Sequence, residues 1–117
     1  MLIYHGLQDN QITSFNTERF YDYLSRGMQA TSDDLDQFLR FFRVPGMFHC
    51  NSGPGAWVFG QGGAASAAGM PFTAKYNVLA ALVQWVENGI AVEEIIGTKF
   101  LNDSVKLGVA FEHRLCK

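Results

Sequence analysis

The chain has 117 residues, of which 48% are hydrophobic and 14% aromatic, and this composition indicates a globular chain and excludes a disordered one. The formal net charge of -2 is spread along the sequence without a basic stripe, so nucleic acid and anionic membranes are not expected partners. No apolar run reaches the roughly 20 residues that a membrane-spanning helix requires.

The first part of the sequence predicts a strand, a helix and a second strand. Leu2 to His5 form a short apolar run before a glycine, which is typical of a buried parallel strand. Asn16 or Thr17 is expected to cap the helix, since either side-chain oxygen accepts from free backbone donors. Its buried stripe is expected to comprise Phe20, Tyr21, Leu24 and Met28. Residues 31–34 are predicted to form a polar loop, and residues 37–44 the second strand, which Pro45-Gly46 ends.

The rest of the sequence predicts a long loop and one clear helix. Residues 46–73 are rich in glycine, which prevents a long regular element and indicates an active-site surface or an insertion. Thr73 is expected to cap the helix, and Gly89 to end it in a left-handed conformation. The buried face of this helix is predicted to carry Val78, Leu79, Leu82, Trp85 and Val86. Residues 95–100 and 105–111 are expected to be short strands or extended segments.

The order of these elements predicts the fold class. Strand, helix, strand, long loop and helix are typical of one end of a parallel α/β sheet. Two parallel strands alone do not make a stable sheet, because both faces and both edges need cover. We therefore predict an α/β fold, a parallel sheet with flanking helices, that is incomplete within this chain. The abrupt ends of the sequence lead to the same expectation of a fragment.

Two loops at predicted strand ends carry residues suited to catalysis. Asp9 follows the first strand, and His49 follows the second strand after a Pro-Gly turn. Catalytic groups gather at the carboxyl ends of strands in open α/β sheets, so we expect the two loops to be neighbours. A carboxylate and an imidazole so placed suit the acid and the base of a nucleophilic triad. The order of Asp before His matches α/β hydrolases, whose serine comes first, and no serine here lies in a Gly-x-Ser-x-Gly elbow.

Each of these residues has an alternative interpretation, and so do His5 and the two cysteines. His49 alone is also typical of an ordinary surface or buried histidine. Asp9 alone is also typical of a residue that caps a turn. His5 is interpreted as a structural residue that satisfies hydrogen bonds, with positioning of the acid loop as the alternative. Taken alone, Cys50 and Cys116 leave open one internal bridge, two bridges to other segments, or two free thiols.

Four segments resemble the tannase and feruloyl esterase family of α/β hydrolases. Residues 4–9, Tyr-His-Gly-Leu-Gln-Asp, look like its acid-bearing segment. Residues 45–50, Pro-Gly-Met-Phe-His-Cys, followed by Gly-Pro-Gly, resemble its histidine segment. Residues 85–89 are similar to the end of a family helix, and residues 113–116 to the start of its C-terminal Arg-Pro-Leu-Cys segment.

The resemblance implies a serine-type carboxylic ester hydrolase that acts on esters of phenolic acids such as ferulate or gallate, with Asp9 as the triad acid and His49 as the base. It implies that residues 1–117 are a C-terminal fragment of the catalytic domain, and that the nucleophile segment and the lid domain are absent. It also implies that Cys50 pairs with a cysteine directly before the nucleophilic serine, and Cys116 with one beyond Lys117. Disulfides in turn imply a secreted or periplasmic protein.

The remaining expectations concern ligands and activity. We expect no metal and no cofactor in this chain, because no acidic cluster has calcium-loop spacing; the resemblance places a calcium ion in the absent lid domain. The expected partners are a small aromatic ester and the missing N-terminal part of the same protein. The isolated chain is expected to be inactive. One alternative is a non-catalytic remnant or binding fragment of a hydrolase fold, and another is a hydrolase of a peptide or lipid ester.

Overall fold

The computed structural model describes residues 1–62 and 65–117; Gly63 of the glycine-rich loop lies outside them. The strands are β1 (Leu2–Gly6), β2 (Arg40–Val44), β3 (Glu94–Phe100) and β4 (Val109–Cys116). The α-helices are α1 (Phe15–Met28), α2 (Ser32–Leu35) and α3 (Val78–Asn88). Short 3₁₀ turns cover Ala65–Gly69, Leu101–Asp103 and Val105–Leu107.

Strands β1 and β2 form a parallel pair, and α1 and α2 lie in the connection between them. Leu2 is opposite Arg40, and Gly6 is opposite Val44, so the two strands end side by side. The predicted succession of strand, helix and strand is confirmed. The parallel pair with its helices accounts for the α/β character of the chain.

Helix α2 corrects the prediction of a polar loop at residues 31–34. The Thr31 side chain accepts from the Asp34 amide, and the Asp34 carboxylate accepts from the Thr31 amide. This capping box satisfies backbone groups at the start of a helix, and it favours one turn of helix over a loop. The turn places Leu35 in the interior, where its side chain is fully buried.

Helix α1 corrects two expectations. It begins at Phe15 after Ser14, so neither Asn16 nor Thr17 is its cap. The expected stripe is not buried, since Phe20 is 45% exposed and Met28 is 53% exposed. Periodicity identifies the apolar face of a helix, but burial depends on a neighbour that covers it. Within the described residues, that face stays largely uncovered.

Helix α3 ends as predicted but begins later and turns a different face inward. Asn77 is its cap and accepts from the amides of residues 79 and 80, which replaces the predicted cap at Thr73. Gly89 ends the helix with a φ of 69°. The residues turned inward are Val78, Ala80, Ala81 and Trp85. In contrast, Leu79 is 54% exposed and Val86 is 76% exposed, so their predicted burial is wrong in this chain.

Strands β3 and β4 form a second, antiparallel pair, with Ile95 opposite Leu115. The expectation for residues 95–100 is confirmed. The strand expected at residues 105–111 begins only at Val109, after a 3₁₀ turn. The long loop crosses this hairpin, and Val58 forms a bridge with Thr98.

One core joins the parallel pair, the long loop, α3 and the hairpin. Its buried members are Phe42, Val44, Met47, Trp57, Val58, Phe59, Ala81, Val92, Ile95, Phe100 and Leu115. The loop contributes its apolar residues 56–59 to this core, which fixes it against the hairpin although it contains little regular structure. None of the helices in residues 1–62 and 65–117 combines the length and the apolar character needed to cross a bilayer.

Candidate active site

The site lies where the parallel strands end. The chain leaves β1 through the acid loop (residues 7–12) and leaves β2 through the histidine loop (residues 45–55). The Leu7 amide donates to the Val44 carbonyl at 3.0 Å, and the Gln8 amide donates to the Met47 carbonyl at 3.1 Å. These backbone bonds join the acid loop to the end of β2 and to the histidine loop. The parallel register thus makes the loops neighbours.

The structure brings Asp9 and His49 into direct contact. His49 Nδ1 lies 2.8 Å from Asp9 Oδ2. The Asp9 side chain is 2% exposed, whereas the His49 side chain is 36% exposed. A proton on Nδ1 that is donated to the carboxylate leaves Nε2 as the nitrogen that can accept a proton. Among the described residues Nε2 has no hydrogen-bond partner.

The Asp9 carboxylate uses its two oxygens for different tasks. Oδ1 accepts from the Gln11 amide at 2.8 Å and the Ile12 amide at 2.9 Å, while Oδ2 faces His49. Burial raises the pKa of Asp9, but the two amides and the His49 hydrogen bond outweigh it and hold the pKa well below the usual aspartate range. Asp9 therefore caps the turn and also contacts His49, because one carboxylate has enough acceptor sites for both.

The histidine loop folds back on itself through close backbone contacts. The Gly55 amide donates to the Gly46 carbonyl at 2.9 Å, and the Phe48 amide donates to the Ser52 carbonyl at 3.1 Å. A Cβ atom at Gly55 would lie 2.1 Å from the Pro45 carbonyl oxygen. Glycine is therefore required where this loop closes.

Two polar side chains anchor this loop, and neither was predicted from the sequence. Lys99 Nζ donates to the Gly53 carbonyl at 2.6 Å and also contacts Asp103. Gln61 is 1% exposed, and its Nε2 donates to the Cys50 carbonyl at 3.4 Å. Lys99 lies on β3 and Gln61 follows the buried loop segment, so neither belongs to a local motif. The flanking residues of Gln61 are glycines, and no sequence signal marked either side chain.

The cysteines lie apart from one another. Cys50 follows His49 directly and lines the same small cavity, about 70 Å³ in volume, as Asp9. Cys116 ends β4, opposite Glu94. Both thiols are exposed and unpaired in the described chain. The predicted bridges to other segments remain predictions.

Metal binding finds no support among the residues that the structure describes. In residues 1–62 and 65–117, no group of three or more His, Cys, Asp or Glu side chains is arranged to hold a metal ion.

The whole length of this chain matches known proteins. The family model described as "Tannase and feruloyl esterase" matches residues 1–117. "Probable feruloyl esterase B-2" of Aspergillus flavus is 53% identical over 117 residues, which are 100% of this chain and 22% of that protein. "Probable feruloyl esterase B" of Emericella nidulans is 41% identical over 117 residues, which are 100% of this chain and 21% of that protein.

Solved structures of two esterases also match this chain. An esterase from Aspergillus oryzae matches with a TM-score of 0.87 and 39% identity, over 98% of this chain and 22% of that one. Feruloyl esterase B from Aspergillus oryzae matches with a TM-score of 0.84 and 34% identity, over 99% of this chain and 22% of that one. The chain thus spans about one fifth of the length of the proteins that it resembles.

Proposed function

Because this chain belongs to the tannase and feruloyl esterase family, we propose that it forms part of a serine-type carboxylic ester hydrolase. The observation that carries the proposal is the 2.8 Å contact between His49 Nδ1 and the buried Asp9 carboxylate. This is the acid–base half of a nucleophilic triad. The names of the relatives favour esters of phenolic acids, such as ferulate, as the substrate class.

In the proposed mechanism, Asp9 holds the Nδ1–H of His49, so that Nε2 takes the proton of a serine hydroxyl. The serine oxygen attacks the ester carbonyl carbon, and the tetrahedral intermediate collapses to an acyl-enzyme. The departing alkoxide takes the proton from His49 Nε2 and leaves as the alcohol. Water then attacks the acyl-enzyme while His49 accepts its proton. The phenolic acid is released, and the serine recovers its proton from His49.

We place the nucleophilic serine in a segment upstream of this sequence. The order Ser, Asp, His is that of α/β hydrolases, and no serine here lies in a nucleophile elbow. Within the described part of the chain, no serine hydroxyl bonds to His49. Residues 1–117 are then the C-terminal part of an α/β-hydrolase catalytic domain, with the nucleophile segment and the lid elsewhere.

The proposal extends to the partners of this segment. The apolar residues left exposed on α1 and α3, such as Phe20 and Val86, are surfaces that the remainder of the same protein would cover. The isolated segment would be inactive, because it lacks the nucleophile. The calcium ion expected of the lid domain would lie outside this segment and enters no step above.

We also propose that Cys50 pairs with a cysteine adjacent to the nucleophilic serine. The Cys50 thiol is exposed and follows the catalytic base directly, so such a bridge would link the nucleophile loop to the histidine loop. Cys116 would pair with a cysteine further along the protein. Two such bridges would form in an oxidising compartment, which favours a secreted or periplasmic protein.

The test uses the full-length protein and the hydrolysis of a ferulate ester. We expect His49→Ala to lower kcat by several orders of magnitude, since loss of the base disables the triad. His113→Ala, which changes an exposed histidine on β4, is the matched control and should keep normal activity. Near-normal turnover by His49→Ala would refute the proposal.

The alternative function, a non-catalytic remnant of the hydrolase fold, is motivated by the lack of a nucleophile in these residues. It predicts that the full-length protein is not labelled by a fluorophosphonate, a reagent that phosphonylates activated serines with loss of fluoride. The esterase proposal predicts stoichiometric labelling of one serine, which His49→Ala should abolish.

A further inference from the structure

His5 makes contacts on both sides of its ring beside the candidate triad. Its Nε2 lies 3.1 Å from Asp9 Oδ2 and 3.2 Å from the Ile12 carbonyl oxygen. Its Nδ1 lies 2.6 Å from the hydroxyl of Thr17 on α1. The side chain is only 12% exposed. The ring thus lies between α1 and the acid loop.

We infer that His5, held by Thr17, is a positioning residue that orients the Asp9 carboxylate toward His49. This inference rests on the proposed function, because it assigns His5 a task within the same reaction. It goes beyond the Asp9–His49 pair by adding a donor and a helix contact behind the acid.

The contacts determine where the His5 proton lies. The two groups that face Nε2, a carboxylate and a carbonyl, are both acceptors, so an unprotonated Nε2 would place three acceptors against each other. A proton on Nε2 turns these contacts into favourable ones. The Thr17 hydroxyl can donate to an unprotonated Nδ1 or accept from a protonated one. Every protonation state that fits the contacts therefore has a proton on Nε2, which Asp9 Oδ2 and the Ile12 carbonyl oxygen share as acceptors.

This donor completes the hydrogen bonding of Asp9. A carboxylate offers about four lone-pair sites. The amides of Gln11 and Ile12 occupy Oδ1, and the rings of His49 and His5 occupy Oδ2. With all sites used, rotation of the carboxylate would break several hydrogen bonds at once. The Oδ2 atom is thereby kept in line with His49 before substrate arrives, which is the preorganisation that catalytic groups require.

Thr17 provides the sharpest test, because its hydroxyl is the contact that links His5 to α1. Thr17→Val replaces the hydroxyl with a methyl group of similar shape, and Thr17→Ser keeps the hydroxyl. In the full-length protein we expect Thr17→Val to lower kcat for a ferulate ester about tenfold, with KM within about twofold, because misplaced catalytic groups lower turnover. Thr17→Ser should restore most of kcat. Thr13→Val, an exposed threonine before α1, is the control.

His5→Leu extends the test to the ring itself, and we expect a fall in kcat of about tenfold to a hundredfold with little change in KM. Should that variant fail to fold, the Thr17 pair still decides, since it changes a single hydroxyl. A normal kcat for Thr17→Val, an equal loss in Thr17→Ser, or a loss confined to KM would each overturn the inference. The His49→Ala variant separates failure of this inference from failure of the proposed function. If one of these contrary results is found while His49→Ala is inactive, only the positioning role of His5 fails. If His49→Ala is active, the proposed function fails first.

Discussion

Lys99 and Gly53 are 46 residues apart in the sequence, yet Lys99 Nζ donates to the Gly53 carbonyl oxygen at 2.6 Å. The same ammonium contacts Asp103 Oδ1, which in turn accepts from Trp57 Nε1 at 3.0 Å. The hairpin of β3 and β4 therefore holds the loop that carries His49. A loop with little regular structure is positioned here by side chains from a distant element.

Removal of this anchor should loosen the histidine loop. Lys99→Met keeps the length of the side chain but deprives the Gly53 carbonyl of its donor, and a partly buried carbonyl without a partner costs about 1–3 kcal/mol. In the full-length protein we expect a lower melting temperature and a fall in kcat of about tenfold. Lys106→Met, at an exposed lysine, is the control. Unchanged kcat and melting temperature in Lys99→Met would show that the anchor is not needed.

Glycine at position 55 should be essential for closing the same loop. A Cβ atom there would lie 2.1 Å from the Pro45 carbonyl oxygen, whereas a Cβ atom at Gly62 would have no neighbour within 4 Å among residues 1–62 and 65–117. We expect Gly55→Ala to destabilise the protein by about 1–3 kcal/mol, as other overpacked substitutions do. Gly62→Ala, the same chemical change in open space, should have little effect. Urea denaturation compares the two, and equal midpoints would contradict the steric argument.

Asp9 should make stability dependent on pH in the acid range. The pKa of Asp9 in the folded chain lies below the ordinary aspartate value of about 3.9. Between the folded and the unfolded pKa, the unfolded chain therefore binds more protons than the folded chain. The contribution of this carboxylate is therefore fully present above about pH 5 and is lost as the pH falls below about 4.

The measurement is the free energy of unfolding in urea at about pH 5.5 and about pH 3. The unmodified protein should lose more stability between these values than Asp9→Asn, whose side chain does not titrate. Asp22→Asn, at an exposed aspartate of α1, should behave as the unmodified protein does. An identical pH dependence in Asp9→Asn would exclude this role for the carboxylate.

The state of Cys50 in the full-length protein tests the proposed disulfide. We expect alkylation of the denatured protein to leave Cys50 unmodified until a reductant is added, because the sulfur is already engaged in a bridge. Peptide mass spectrometry would then find the Cys50 peptide joined to the peptide of the nucleophilic serine. Alkylation of Cys50 without reduction would identify a free thiol and remove the argument for an oxidising compartment.

The sequence alone determined the order of the main elements and the two loops that form the site. Strand β1, the end of β2 and the end of α3 at Gly89 follow from short apolar runs and from glycine and proline signals, which act between near neighbours. Parallel strands end at the same edge, so Asp9 and His49 were expected to meet before any distance was known. The helix caps were less predictable, because several adjacent polar residues were able to serve.

Only the tertiary structure decided which faces are covered and which distant side chains hold the site. The exposure of Phe20 and Val86 reflects what packs against a helix, and periodicity within the helix carries no information on that. The contacts of Thr17 with His5 and of Lys99 with Gly53 join different elements, and no local pattern marks either pair. Local backbone preferences act over a few residues, whereas these contacts form only after the whole chain has folded.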